Sequence, residues 1–154
     1  VKELKMTLTS SRGIAAPNYA GAGELRLSND IVFTGAMGKS QAAPQTATAT
    51  ATLTSAQMLG GTLVGTPAAV ATYTTLTGTQ LEAALNESNA IGDTFDLVII
   101  NLGGAGDIIT LAGGTGVTVV GSATVDDAGA DINSSGLFRF RKTAANTYVA
   151  YRIS

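Results

Sequence analysis

The sequence predicts an all-β domain, a jelly-roll-like sandwich or barrel, with one short helix near residues 79–87 and an N-terminal strand or arm. Three observations carry that expectation. Short segments alternate apolar and polar residues with period two, the signature of a half-buried strand. Glycine-rich turns separate these segments at close spacing. From Thr46 alanine and threonine alternate, and the β-branch of threonine suits a pleated backbone. The change of texture there divides the chain into an arm with short strands, residues 1–45, and a β-rich core domain, residues 46–154.

Residues 1–9 place Leu4, Met6 and Leu8 on one face of a strand and Glu3, Lys5 and Thr7 on the other. After a Gly/Ser/Ala/Pro loop, residues 24–27 and 31–34 read as two short strands turned at Ser28, Asn29 and Asp30. TLVGT and VATYTTL are further strands, with a turn at Thr66 and Pro67. GTQLEAALNES is the helix: Thr79 is its expected cap, Glu82 lies at the capping-box spacing, and Leu81, Ala84 and Leu85 form the apolar stripe. In DTFDLVIIN, Phe95, Leu97 and Ile99 share a face. DIITLA and VTVVG are expected to pair as a hairpin around Gly113–Gly116, and SATV adds a short strand. LFRFRK and TYVAYRI are expected to form a terminal hairpin, with Phe138 and Phe140 inward and Arg139 and Arg141 outward.

Composition closes many functional routes. The chain has 154 residues, enough for one domain with a real core. It contains neither cysteine nor histidine, which excludes disulfides, thiolate metal sites, cysteine nucleophiles and triads with an imidazole base. Nine basic against eleven acidic residues give a net charge of −2, with no electrostatic footprint for nucleic acid. No apolar run reaches the roughly 18 residues of a spanning helix, and the first residues lack the pattern of a secretory signal. Neither a membrane nor a nucleic-acid partner is expected. Charged residues make up only 13% of the chain, with none between Lys39 and Glu82, so part of the surface is expected to be covered in an assembly.

The candidate sites are few. LAGGTGVTVVG, residues 111–121, resembles a phosphate loop at first sight. Ser122 and Ala123 stand where a P-loop needs Lys-Ser/Thr, and Val119 replaces the third glycine of a dinucleotide fingerprint. Ile108 and Thr118 replace the aspartates of a calcium repeat. A glycine-turned hairpin is the better reading. Asp126, Asp127 and Asp131 read as an exposed turn rather than a cation loop, because EF-hand spacing is absent. Asp93 reads as a turn aspartate and Asp96 as the solvent-side member of a strand, not as an acid–base pair. Arg139, Arg141 and Lys142 form the basic cluster: a solvated strand face, a docking patch for an acidic surface, or inter-subunit ion pairs to Asp126 or Asp127. Tyr148 and Tyr151 fall on opposite strand faces.

The ordered series TLTSAQMLGGTLVGTP, QLEAAL, GDTFDLVIINLGGAGDIITLAGGTGVTVVGSATV and LFRFRKT…TYVAYRI resembles a β-rich module of structural proteins from tailed phages and some large viruses. The match spans roughly residues 50–154 and lies in the order and spacing of the motifs more than in any one of them. TLTGTQLEAAL departs from the proline-containing approach to the helix that the family more often shows. The resemblance implies a virion component, usually homotrimeric: a capsid decoration (cement) protein, a head fibre or a spike. The leading expectation is a non-enzymatic, cofactor-free decoration protein on the outer capsid surface, with the major capsid protein and its own copies as partners. Leu4, Met6 and Leu8 are then capsid-contact candidates by strand addition, against the plainer reading of a strand in the domain's own sheet. The alternative is a head-fibre or receptor-binding subunit using Tyr148 or the loop at residues 126–131.

Overall fold

A computed structural model describes residues 41–85, 89–129 and 134–154. The segment holding Leu4, Met6 and Leu8, the expected strands at 24–27 and 31–34, and Asp131 lie outside the described residues. The elements in chain order are β1 (Gln45–Ala47), β2 (Ala51–Thr52), α1 (Ser55–Leu59), β3 (Thr62–Gly65), β4 (Ala71–Thr74) and α2 (Gly78–Leu85). Then follow β5 (Thr94–Asn101), β6 (Ile109–Ala112), β7 (Val117–Val120), β8 (Thr124–Val125), β9 (Ser135–Ala144) and β10 (Thr147–Arg152).

The fold is α/β, not the all-β jelly roll that the sequence predicts. Two mixed sheets, largely parallel, are joined by two short helices. One sheet has six strands in the order β1-β3-β5-β9-β10-β7, and the other has four in the order β2-β4-β6-β8. β1, β3 and β5 run parallel, as do β2, β4 and β6. Among the described strands, antiparallel pairing is confined to β5 with β9, β9 with β10, and β6 with β8. The chain alternates between sheets from β1 to β9, so β1–β2, β3–β4 and β5–β6 are successive turns of a coil. Each return to the first sheet passes through the second, which supplies the long crossover that parallel pairing requires. Period-two patterning marks a strand and its buried face but carries no information about the direction of its neighbour. That is why the sequence led to the wrong class.

The second helix of the fold also escaped the sequence reading. Thr54 caps α1 with a complete capping box: its hydroxyl accepts from Gln57 N–H, and the Gln57 side chain accepts from Thr54 N–H. α2 repeats the device one turn of the coil later with Thr77 and Gln80, so Thr77, not Thr79, is its cap. LTSAQM and LTGTQL are thus two copies of one local instruction. Each sends the chain from the four-stranded sheet back to the six-stranded one.

In the third turn, glycines replace the helix. β6 and β7 belong to different sheets, so the expected hairpin does not form. Residues 113–116 instead arch between sheets against the backbone of the neighbouring turn. Gly114 N–H donates to Thr75 Oγ1, and a Cβ there would lie 2.6 Å from Thr75 O and 2.8 Å from Leu76 O. Gly116 has φ +83°, and a Cβ on it would lie 2.5 Å from Asn146 O. The glycines admit neighbouring main chain.

The core lies between the sheets. Leu63, Leu97, Ile99, Phe138 and Phe140 from the six-stranded sheet meet Tyr73, Ile109, Leu111 and Val125 from the other. The Tyr73 hydroxyl crosses to the first turn and donates to Ala47 O at 2.9 Å. The terminal hairpin forms as expected, turning at Asn146 with φ +53°.

Candidate functional site

The expected basic cluster is split by the strand it sits on. Lys142 follows Phe138 and Phe140 on the inward face of β9, whereas Arg139 and Arg141 point outward. Lys142 is buried, and its ammonium donates to a Glu82 carboxylate oxygen and, at 2.7 Å, to Asn89 O. Glu82 also accepts from the Tyr148 hydroxyl at 3.1 Å, and Asn89 Nδ2 donates to that same hydroxyl oxygen. α2, the segment at residue 89, β9 and β10 therefore meet at one polar quartet, in which Lys142 and Tyr148 are buried and Glu82 and Asn89 are half-buried. The Lys142 bond holds the Glu82 carboxyl below the usual carboxylate range, against the opposing effect of desolvation. Burial, reinforced by the Glu82 carboxylate, pushes the Tyr148 phenol up to about 12. Near neutral pH Glu82 is ionised and Tyr148 is protonated. The quartet works as a clamp between helix and hairpin, not as a proton-transfer pair.

Within one chain, the two aspartates expected as inter-subunit partners of the basic cluster make other contacts. Asp127 is buried and caps two loops, accepting from Gly106 N–H and Gly129 N–H at 2.9 and 2.8 Å. The charge of Asp126 acts on Arg152, partly offsetting the burial that lowers the pKa of that guanidinium. Arg139 instead forms a bidentate pair with Asp96 directly across β5, both bonds 2.8 Å. That pair is exposed, and Asp96 is on the solvent side as the alternation predicts. Asp93 is the expected turn aspartate, accepting from Ala90 N–H. Sequence reading missed Glu82 and Asn89 as partners. Lys142 at the i, i+2, i+4 position after Phe138 and Phe140 was the available signal of inward placement.

Beside the clamp lies an open cleft of about 490 Å³ lined by Leu85, Asn89, Gly92, Asp93, Thr94 and Phe95. Phe95 stacks on Phe140 with ring centroids 4.7 Å apart and planes within 4°. The clamp thus fixes one wall of the cleft through Asn89, and the core fixes another through Phe95. Among the described residues, no group of three His, Cys, Asp or Glu side chains comes together to hold a metal. No described helix is long and apolar enough to cross a membrane.

The other unassigned surface is the outer face of the six-stranded sheet. Register places Asp96, Arg139, Tyr151 and Val120 in one row. Thr62, Val98 and Leu137 form the next, and Thr46, Val64, Ile100 and Ser135 a third. Val64, Val98, Ile100 and Leu137 are half-buried, while Val120, Tyr151 and Ile153 are exposed. The charges in the first row neutralise each other, and Arg141 bounds the strip beside Thr94. No protein-family model matches the chain, and comparison with curated proteins and with solved structures finds no match.

Proposed function

We propose that this chain is a capsid decoration protein: a virion component that binds the outer capsid surface and stabilises the shell without catalysis. The observation that supports this most is the set of apolar rows on the outer face of the six-stranded sheet, where Val120, Tyr151 and Ile153 are exposed beside a self-neutralised Arg139–Asp96 pair. Identical copies present identical charge to one another, so rows whose charges cancel, with Arg141 only at their edge, are suited to contact between copies. Apolar rows of this kind resemble interface cores, where charge is depleted. The ordered motifs of residues 50–154, the low charge and the uncharged stretch between Lys39 and Glu82 support the same reading.

In this reading three copies associate through the outer face, and the segment carrying Leu4, Met6 and Leu8 attaches each copy to the major capsid protein. Joining three modest contacts in one trimer raises avidity through effective concentration. A trimer spanning neighbouring capsomers then resists their separation under internal pressure. Native mass spectrometry and binding to undecorated capsids test it. The full chain is expected to run as a trimer and to saturate the capsid. The double variant Val120→Glu/Tyr151→Glu is expected to be a folded monomer of low occupancy, and deletion of residues 1–9 is expected to leave a trimer that binds poorly. A full chain that leaves capsids bare contradicts the reading. Binding confined to one vertex or to the tail favours the head-fibre or spike alternative, which the cleft beside the clamp also suits.

A further inference from the structure

We propose that the cleft beside α2 is a saccharide site that takes a neutral hexose or the end of a short glycan. This does not rest on the capsid reading, because the cleft is built from a different part of the domain than the apolar outer face. Its volume, about 490 Å³, lies within the range of small-molecule sites, about 300–1,000 Å³. The lining is mixed in a specific way. Phe95 brings an aromatic ring that the stack on Phe140 holds in place. Asp93 brings a carboxylate whose Oδ2 is held by Ala90 N–H, and Thr94 brings a hydroxyl. Asn89 brings a carboxamide whose Nδ2 donates to the Tyr148 hydroxyl oxygen, while Lys142 holds the main-chain carbonyl of the same residue. That leaves Asn89 Oδ1 as an acceptor on the cleft wall.

The chemistry of these groups selects among ligands. A wholly apolar ligand would strip water from Asp93, Asn89 and Thr94 without replacing it. The Asp93 carboxylate is balanced by the Arg141 guanidinium, whose Nη2 lies 3.8 Å from where a Cβ on Gly92 would stand, so the described lining favours a neutral ligand over a charged one. Among the described lining residues, a divalent cation would find one carboxylate where it needs several oxygen ligands. A pyranose presents hydroxyls that donate to Asp93 and Asn89, and a face of C–H groups that packs on an aromatic ring. The polar acceptors are held before the ligand arrives, which lowers the ordering cost of binding. The clamp then has a second consequence: it pre-forms the site as well as anchoring the helix.

Saturation-transfer NMR on the full chain with a panel of methyl hexosides and their disaccharides tests the proposal. At least one sugar is expected to receive saturation. Asp93→Asn, which keeps an acceptor for Ala90 N–H, and Thr94→Ala are expected to weaken its binding about tenfold or more at unchanged melting temperature. Phe95→Leu is expected to abolish it; because this change also disturbs the stack on Phe140, the two polar variants decide the matter if it unfolds. No transfer to any sugar overturns the proposal. So does binding that folded Asp93→Asn and Thr94→Ala retain, or preferential binding of N-acetyl-lysine amide.

Discussion

Gly78→Ala separates helix propensity from packing, because the two give opposite signs. Gly78 is the first residue of α2, and it is not among the glycines with positive φ. On propensity alone, alanine in a helix is worth about 0.5–1 kcal/mol over glycine. In the fold, a Cβ at Gly78 overlaps the carbonyl oxygen of Asn146 and lies 2.5 Å from its carbonyl carbon. These atoms belong to the β9–β10 turn, and Gly78 N–H is held by Thr115 O. No flexible side chain is there to move aside, so the helix start or the turn must shift. Overpacking of this kind costs about 1–3 kcal/mol, and an overlap with main-chain atoms falls at the upper end, which leaves a net loss of about 2 kcal/mol. For a domain of this size the melting temperature should fall by about 4–8 °C, read by circular dichroism. An unchanged or higher melting temperature would refute the close approach of α2, the glycine arch and the terminal turn.

Asn101→Leu should destabilise by about 1–3 kcal/mol in urea unfolding, because it strands Gly103 N–H and the carbonyls of Asp107 and Val125 that Asn101 serves. Gly136→Ala and Arg152→Ala should each destabilise but combine with less than additive effect. A Cβ at Gly136 lies 2.5 Å from Arg152 Cζ and would expel the guanidinium from its place 5.0 Å from the Phe138 ring centroid. Full additivity would contradict that. The clamp should also leave two marks on pH dependence. The lowered Glu82 pKa favours the ionised form in the fold, so its stabilisation is present above the ordinary carboxylate range and is lost as acid protonates it. Wild type should therefore lose more stability below about pH 5 than Glu82→Gln. The raised Tyr148 pKa favours the neutral phenol, so stability is intact below pH 10 and falls as pH rises towards about 12, a loss that Tyr148→Phe should lack. Matching pH curves for each variant and wild type would rule out the clamp.

Within the described residues, most strands and their buried faces were legible in the sequence. Phe95, Leu97 and Ile99 share the inner face of β5, and the terminal hairpin stands where LFRFRK and TYVAYRI place it. The fold class was not legible. A strand such as TLVG pairs in parallel or antiparallel fashion with the same alternation, and only the alternation of sheets along the chain decides which. The paired capping boxes at Thr54–Gln57 and Thr77–Gln80 were the overlooked clue, since two copies of one helix signal imply two like crossovers. The glycine arch read as a hairpin because positive φ and close backbone approach call for the same residue. The site was legible in part. Asp93 and Asp96 fell where expected, but the partners of Lys142 and Arg139 depend on contacts across 60 and 43 residues, which no local pattern encodes.

The central functional claim is that the protein coats the outside of a capsid. Electron cryomicroscopy of the intact particle tests it most directly. A decoration protein should give trimeric density at every equivalent position between capsomers on the outer surface, with the outer faces of the six-stranded sheets turned towards one another. Density confined to the tail, or a particle without the protein, would contradict it.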